Sequence, residues 1–562
     1  MRFEPRLRPA FAALGIAAAA CAVYLPALRN GFAYDDVVVV QQDARIRSLG
    51  SIGDIFTGGY WQNADLALYR PVTTLSFALD HAIGSGSAAW FHASNLLLHA
   101  AVSVLAFFLL ARLFGLTPAL AGALLFAVHP VHVEAVGNIV GRAEMLSAGF
   151  VLGACLLWIR PRKGGPPILG TALLFALGLL SKESAVMLPV LLVLLDMARS
   201  EAPPAHADPV PERSSRSGQA GPPAHPAWLR TALQSRAAAF VALALVLAGY
   251  LWLRAGVLGA FVPGRVDPIL EVVQSPLQRV FTALQAWPVW MRLLFIPDVL
   301  LADYGPRILA PALSLTMESA LGLILLLATV LGGLFAWRRG ERLLALGLLW
   351  FPVTILPVSN LIVPIGVLVA ERTLYLPSFV MAFLVAGLAS VLATRPAKAK
   401  QLAAATLAIA LLALSARTLM RVPDWASTDT IMAALVRDRP DAFRGRWHAA
   451  RKAAAAGEAS IAMAEYDTAI VLWPYRQRLV LEAIGFAAQQ REYARAFQLA
   501  RHAARHWPGD LAVQRQLAGS ALDAGDFAVA RRAIEAGLRL SPGDSLLRRM
   551  AAFADSAHGA DR

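Results

Sequence analysis

Two adjacent carboxylates, Asp35 and Asp36, stand behind Phe32 and Tyr34 in the run Gly31-Phe-Ala-Tyr-Asp-Asp36, just past the first long apolar segment. At that place, where a membrane span should give way to water, a carboxylate can take a proton from a hydroxyl as the hydroxyl attacks. Three further polar clusters complement the pair: His129, His132 and Glu134 with Arg142 and Glu144; Lys182 with Glu183; and Glu371 and Arg372 with Tyr375. Arg70 lies in the same loop as the acidic pair, in Tyr69-Arg-Pro71. Ionisable residues at membrane depth are costly, so each cluster needs a reason. Cations such as Arg372 and Lys182 can hold a phosphate leaving group through charge-assisted hydrogen bonds. Acids, bases and cations on one face suit an anionic, lipid-linked substrate. Together they would serve glycosyl transfer from a polyprenyl-phosphate sugar.

Each cluster also has a plainer reading. The acidic pair can be a solvated loop beside a span end, Arg372 an interfacial anchor, and Lys182-Glu183 a surface pair. His129-Pro-Val-His-Val-Glu134 carries zinc-type ligands. On a helix, however, metal pairs favour i,i+4, and Pro130 points to a turn. A polar substrate contact or a loop-bracing hydrogen bond is therefore preferred to a divalent metal, and no cofactor is firmly implied.

The elements that must position these residues are membrane helices. The chain has 562 residues, 57% of them hydrophobic and only 16% charged, with a mean hydropathy of +0.57. Repeated long apolar runs make it a polytopic membrane protein. The net charge of +14 comes from Lys and Arg clustered beside those runs, which topology and lipid headgroups explain better than nucleic acid does. Cys21 and Cys155 sit in apolar runs and form no metal pattern or disulfide framework. Arg2, Arg6 and Arg8 should hold the start of an uncleaved first span, about 9 to 28, in the cytoplasm. Further spans are expected at about 92–112, 117–131, 143–159, 167–181, 185–197, 236–256, 313–336, 343–361, 374–393 and 402–420, eleven in all. Several are short for a bilayer, so neighbouring polar turns should dip into it. Residues 29–90 form a first outer loop, and 199–230, rich in Pro, Ala, Ser and Gly, read as a flexible cytoplasmic linker. The apolar block 277–296, with Pro288 and Arg292, reads as an interfacial or re-entrant helix, because crossing there would put the basic cluster Trp337 to Arg342 outside. These flanking basic residues place all four polar clusters on the outer side.

The tail is a repeat array. Pro440, Pro474, Pro508 and Pro542 are 34 residues apart, and Ala462, Ala496 and Ala530 keep the same period. A period of 34 with Pro closing each unit and small residues where two helices touch is the tetratricopeptide pattern. Three repeats are expected over 441–545, after a lead-in helix at 424–440 and before a tail at 546–562. The fold class is thus all-α: a membrane bundle in 1–423 followed by an α-solenoid, which odd span parity puts outside.

Several motifs, taken together, resemble a known family. They are Gly31 to Asp36, Tyr69-Arg-Pro71, Phe91-His-Ala-Ser-Asn-Leu-Leu-Leu-His99, Phe126 to Ala135, Gly141-Arg-Ala-Glu144, Ser181-Lys-Glu183 and Glu371-Arg-Thr-Leu-Tyr-Leu-Pro377. With the order of spans then repeats, they look like the transmembrane and tetratricopeptide repeat-containing (TMTC) family, itself similar to GT-C glycosyltransferases. The resemblance implies a GT-C-like bundle that transfers a sugar, in the family mannose, from a polyprenyl phosphate to Ser or Thr of a protein. It implies catalysis by the acidic pair, with Asp36 favoured over Asp35. Arg372, then Lys182 and Arg142, would hold donor phosphate. His129, His132, Glu134, Glu144, Glu183, Tyr375 and Arg70 would support the substrate site. Its partners would be the lipid-linked sugar, membrane lipid and protein acceptors held by the repeats. The short array and alanine- and arginine-rich composition imply a bacterial version in an inner membrane, with its tail periplasmic. Two alternatives differ in class: a non-enzymatic scaffold gripping partners through the repeats, and a lipid-linked-sugar transferase acting on glycan or lipid.

Overall fold

A computed structural model describes residues 9–61, 68–160, 167–199, 227–259, 267–273 and 275–560. Arg2, Arg6 and Arg8, and nearly all of the expected linker 199–230, lie outside the described residues. Among the described residues there are helices and turns and no strand. The chain divides into two units: Met1–Ala302 with Ala312–Ile431, and Asp303–Pro311 with Met432–Arg562.

Among the described residues of the first unit, six helices are long and apolar enough to cross a membrane: Pro9–Arg29, Ala88–Phe114, Ile139–Trp158, Arg236–Leu258, Met317–Arg338 and Ala397–Ala426. A seventh is added if Leu116–Val128 and Pro130–Gly137, bent by 47° at His129, count as one broken span. Ile168–Ser181, Arg342–Val358 and Phe379–Leu392 are shorter apolar helices. Eleven full spans are therefore not seen as eleven long helices. Several of the expected crossings are short helices flanked by 3-10 turns: Glu183–Met187 follows Ile168–Ser181, and Glu371–Leu374 precedes Phe379–Leu392. The block 277–296 is split at Gln285 into Pro276–Leu284 and Ala286–Phe295, each too short to cross a bilayer.

Ile139–Trp158 is the central helix, with 72% of its apolar window buried, against 11% for Arg236–Leu258 at the rim. It packs on Ala88–Phe114 and Ile168–Ser181, and Ala88–Phe114 packs in turn on Pro9–Tyr24 and Leu116–Val128. Gly115 at φ 88° lets the chain reverse between Ala88–Phe114 and Leu116–Val128, a backbone state that costs glycine little. The polar segments follow the ends of these helices, so a compact helical core delivers them to one locality.

The second unit contains the helix pairs Phe443–Ala455 with Ala459–Leu472, Gln477–Gln489 with Tyr493–His506, and Leu511–Asp523 with Phe527–Leu540. Their starts recur every 34 residues. Ala462, Ala496 and Ala530 are fully buried, as small residues at a helix–helix contact must be. Glu482 ties neighbouring pairs together, accepting from Arg451 Nε at 2.6 Å, Tyr466 Oη at 2.9 Å and Trp447 Nε1 at 3.2 Å.

Helix Leu116–Val128 also packs on Phe379–Leu392, where Gly122 faces the Ala382 carbonyl so closely that a Cβ would collide with backbone. Gly122→Val should therefore cost about 1–3 kcal/mol through overpacking. A clearly lowered midpoint of thermal unfolding in detergent is expected; an unchanged midpoint would contradict this close approach.

Candidate active site

Asp36 is fully buried. Its Oδ1 accepts the Val140 N–H at 2.8 Å and its Oδ2 the Ala33 N–H at 3.2 Å. Burial pushes its carboxyl up to about 7, against the pull of these backbone donors. Asp35, one residue earlier, keeps 20% of its side chain exposed and lies with Oδ2 3.3 Å from Arg372 Nη2.

Arg372 bridges two acids. Its Nη1 donates to Glu134 Oε1 at 2.8 Å and its own backbone N–H to Glu134 Oε2 at 2.9 Å. Burial disfavours its charge, but Glu134 and Asp35 more than offset that and hold the guanidinium protonated. Glu134 itself is 1% exposed, so the bridge is anchored on a buried carboxylate and ends on a partly exposed one. The local sequence makes this possible. The bend after Val128 turns Glu134 inward on the short helix Val133–Gly137. The 3-10 turn Glu371–Leu374 then offers the Arg372 N–H and side chain together.

A second pair lies on the same locality. Arg70 Nε and Nη2 grip Glu183 Oε2 and Oε1 at 3.0 and 2.7 Å. Burial alone would raise the Glu183 carboxyl, but the Arg70 guanidinium holds it down at about 2. The Arg70 guanidinium also lies 5.1 Å from the centre of the Tyr60 ring. Tyr60 is buried within electrostatic reach of Arg70, Asp35, Asp36 and Arg372, which brings both ion pairs and the acidic pair to one place.

The remaining expected residues brace the site from inside. Arg142 is 3% exposed and fully engaged: Nη1 with Asp80 at 2.5 Å, Nε with Asn95 Oδ1 at 2.7 Å and Nη2 with the Phe91 carbonyl at 2.9 Å. Lys182 is ion-paired with Glu144, both buried. His129 donates from Nε2 to the Leu294 carbonyl at 3.0 Å and accepts the Val131 N–H on Nδ1 at 3.2 Å, which fixes its neutral tautomer. His132 Nε2 meets Ser378 Oγ at 2.7 Å, and Tyr375 Oη meets His99 Nδ1 at 2.7 Å. Two of these bonds, His132–Ser378 and Glu134–Arg372, staple the segment 129–137 to the segment 371–378. Among the described residues no three of His, Cys, Asp or Glu are placed to hold a metal ion.

Asp80, Asn95, His99 and Tyr60 take part without having been singled out as site residues. Asn95 and His99 lie in the polar-studded run Phe91 to His99, where a polar residue every few positions in an otherwise apolar helix was the available signal. Tyr60 had none.

Comparison with known proteins gives this geometry a context. No family model matches the chain, and no solved structure does. It is 28% identical over 369 residues to a protein O-mannosyl-transferase, F38B6.6, of Caenorhabditis elegans, covering 63% of this chain and 48% of that protein. It is 29% identical over 442 residues to protein O-mannosyl-transferase TMTC3 of Homo sapiens, covering 73% and 46%. Against protein O-mannosyl-transferase TMTC4 of Homo sapiens it is 27% identical over 474 residues, covering 76% and 61%. The chain thus spans about half the length of the first two of these relatives. It is a homologue of the TMTC protein O-mannosyl-transferases, the kinship that its motifs resemble.

Proposed function

We propose that this chain is an integral-membrane glycosyltransferase that moves a mannosyl group from a polyprenyl-phosphate donor to a Ser or Thr hydroxyl of a protein, on the outer face of the membrane. The observation that carries this reading is the partly open ion pair between Asp35 and Arg372, 3.3 Å apart with side chains 20% and 23% exposed. In it a candidate base and a candidate phosphate-holding cation share the same small opening. The names of the relatives support the sugar and the acceptor class.

In this reading the base is Asp35. Asp36, favoured from sequence, has both oxygens occupied by backbone N–H groups and is closed to solvent, so it serves as the brace. An arriving donor phosphate gives Arg372 a third anionic partner beside Glu134 and Asp35, and loosens its hold on Asp35. Asp35 then takes the acceptor hydroxyl proton as that oxygen bonds to the sugar C1. The bond from C1 to the phosphate oxygen breaks, and the leaving phosphate keeps the electron pair and meets the Arg372 charge. Arg70, held by Glu183 beside this pair, is the second cation on the path. Lys182 and Arg142, engaged by Glu144 and Asp80, hold the walls and take no part in phosphate binding. The 34-residue helix pairs act as tetratricopeptide units that bring protein acceptors, in the periplasm of a bacterial inner membrane.

The test is transfer by the full chain in nanodiscs, from mannosyl-phosphoryl-polyprenol to a Ser/Thr-rich peptide, read by mass spectrometry. Asp35→Asn should lower turnover by about 100-fold or more. Undiminished hexose on the peptide with that variant would sink the base assignment. Transfer that appears on lipid or glycan but never on peptide would favour the alternative of a lipid-linked-sugar transferase acting on those acceptors.

The brace makes its own prediction. Asp36 has an ordinary value of 3.8 and a folded value of about 7. Between those values the folded chain holds a proton that the unfolded chain has released, so raising the pH favours unfolding. Thermal stability in detergent should therefore fall as the pH rises from about 4 to about 7 and then level off. Asp36→Asn should remove this part of the slope; an unchanged slope would place the titration elsewhere.

A further inference from the structure

The loop that carries the acidic pair is tied to a segment far along the chain. Asn30 Nδ2 donates to the Val422 carbonyl at 3.1 Å, the Gly31 N–H to the Ala426 carbonyl at 2.9 Å, and the Tyr34 N–H to Thr428 Oγ1 at 2.9 Å. The anchoring segment is itself firm. Trp425 is fully buried, and Arg421 pairs with Asp424 at 2.9 Å. The turn Val422–Ala426 joins the membrane helix Ala397–Arg421 to the helix Thr428–Asp438, of which Thr428 is the first residue.

Tyr34 sits at φ 54°, in the left-handed region. For a residue with a bulky side chain that costs about 1–3 kcal/mol and persists only where the surroundings over-determine it. Those surroundings are Thr428 on the Tyr34 N–H, Ala426 on the Gly31 N–H and His92 Nε2 on the Gly31 carbonyl at 3.0 Å. The next residue after Tyr34 is Asp35, so whatever sets the Tyr34 backbone sets the direction of the Asp35 carboxylate towards Arg372.

We infer that Thr428 is a positioning residue for Asp35: its hydroxyl oxygen holds Tyr34 in the left-handed conformation that aims the carboxylate at Arg372. The inference rests on the reading of Asp35 as the base. It gives the chain a device by which the start of the helix Thr428–Asp438 fixes the base of the reaction.

Three variants test it in the same nanodisc assay of the full chain, with mannosyl-phosphoryl-polyprenol and the Ser/Thr-rich peptide, run beside Asp35→Asn. Thr428→Val keeps the shape of the side chain and loses the acceptor oxygen; Thr428→Ser keeps the oxygen. Gly31→Ala adds a Cβ 3.3 Å from the Ala426 carbonyl oxygen and pushes on the clamp from the other side. Thr428→Val and Gly31→Ala should lower kcat about tenfold, since a small misplacement of a reacting group is costly, and leave the donor KM within about twofold. Thr428→Ser should keep kcat within about twofold of wild type. Wild-type kcat in Thr428→Val, or a loss in Thr428→Ser as large as in Thr428→Val, overturns the positioning role while Asp35→Asn still shows the base to be needed. If Thr428→Val fails to accumulate folded, Gly31→Ala decides: a fall in kcat at constant KM supports the clamp, and unchanged kcat overturns it. Full activity in Asp35→Asn marks failure of the base reading itself and takes this inference with it.

Discussion

Moving a carboxylate or guanidinium from water into a low-dielectric interior costs several kcal/mol even after relaxation, and only partners with good geometry return it. The helices of the first unit bring both kinds of charge inside, and the arrangement of the site follows from that cost. Glu134 is met by the Arg372 guanidinium and N–H, Glu144 by Lys182, Asp80 by Arg142, and Asp36 by two backbone amides. Only part of this network reaches the surface. Asp35 and Arg372 are about one-fifth open, and Glu183 is 37% exposed. Pairing thus sorts residues of the same chemical type into closed and partly open positions.

That sorting explains what the sequence could and could not reveal. Residue types and their neighbourhood were legible: the acidic pair, Arg372 and the Lys182-Glu183 run do come to one locality. Partners were not, because they are set by contacts distant in the chain. Asp36 is closed by Val140, 104 residues on, and Arg372 is bridged by Glu134, 238 residues back. Nothing local distinguishes Asp35 from Asp36, so the choice between them needed the fold. The same holds for Arg142 and Lys182. Each is a cation beside a span end, and each is consumed by an acid that sequence spacing does not point to. The helical character and the 34-residue repeat were legible because periodicity is a local property. The count of spans was less so, because short helices completed by 3-10 turns and a bent pair do not announce themselves as crossings.

Those short helices bear on the chemistry. In a bilayer every backbone polar group needs a partner, and irregular backbone is tolerated only where protein buries it or it lines a cavity. The turns at 130–132, 139–141, 183–187 and 371–374 are such places. Irregular backbone frees N–H groups that a continuous helix would consume, and two of them are used: Val140 on Asp36 and Arg372 on Glu134. The short crossings and the fixed carboxylates are therefore two consequences of one design.

The two aspartates show how neighbours of like charge can be given separate roles. Side by side and both ionised they would repel, and the field of Asp35 does add to the upward pull on Asp36. A buried carboxyl near 7 spends part of its time neutral around neutral pH, which relieves that repulsion. Asp35 in turn faces a guanidinium that burial does not neutralise. The left-handed Tyr34 separates the directions of the pair from the chain that precedes them, and the Thr428 hydroxyl holds that turn from the far end of the unit's sequence. The position of the Asp35 carboxylate is thus set by hydrogen bonds to the backbone of its loop on one side and by the ion pair with Arg372 on the other. The ion pair can open without breaking the backbone hydrogen bonds that hold the loop.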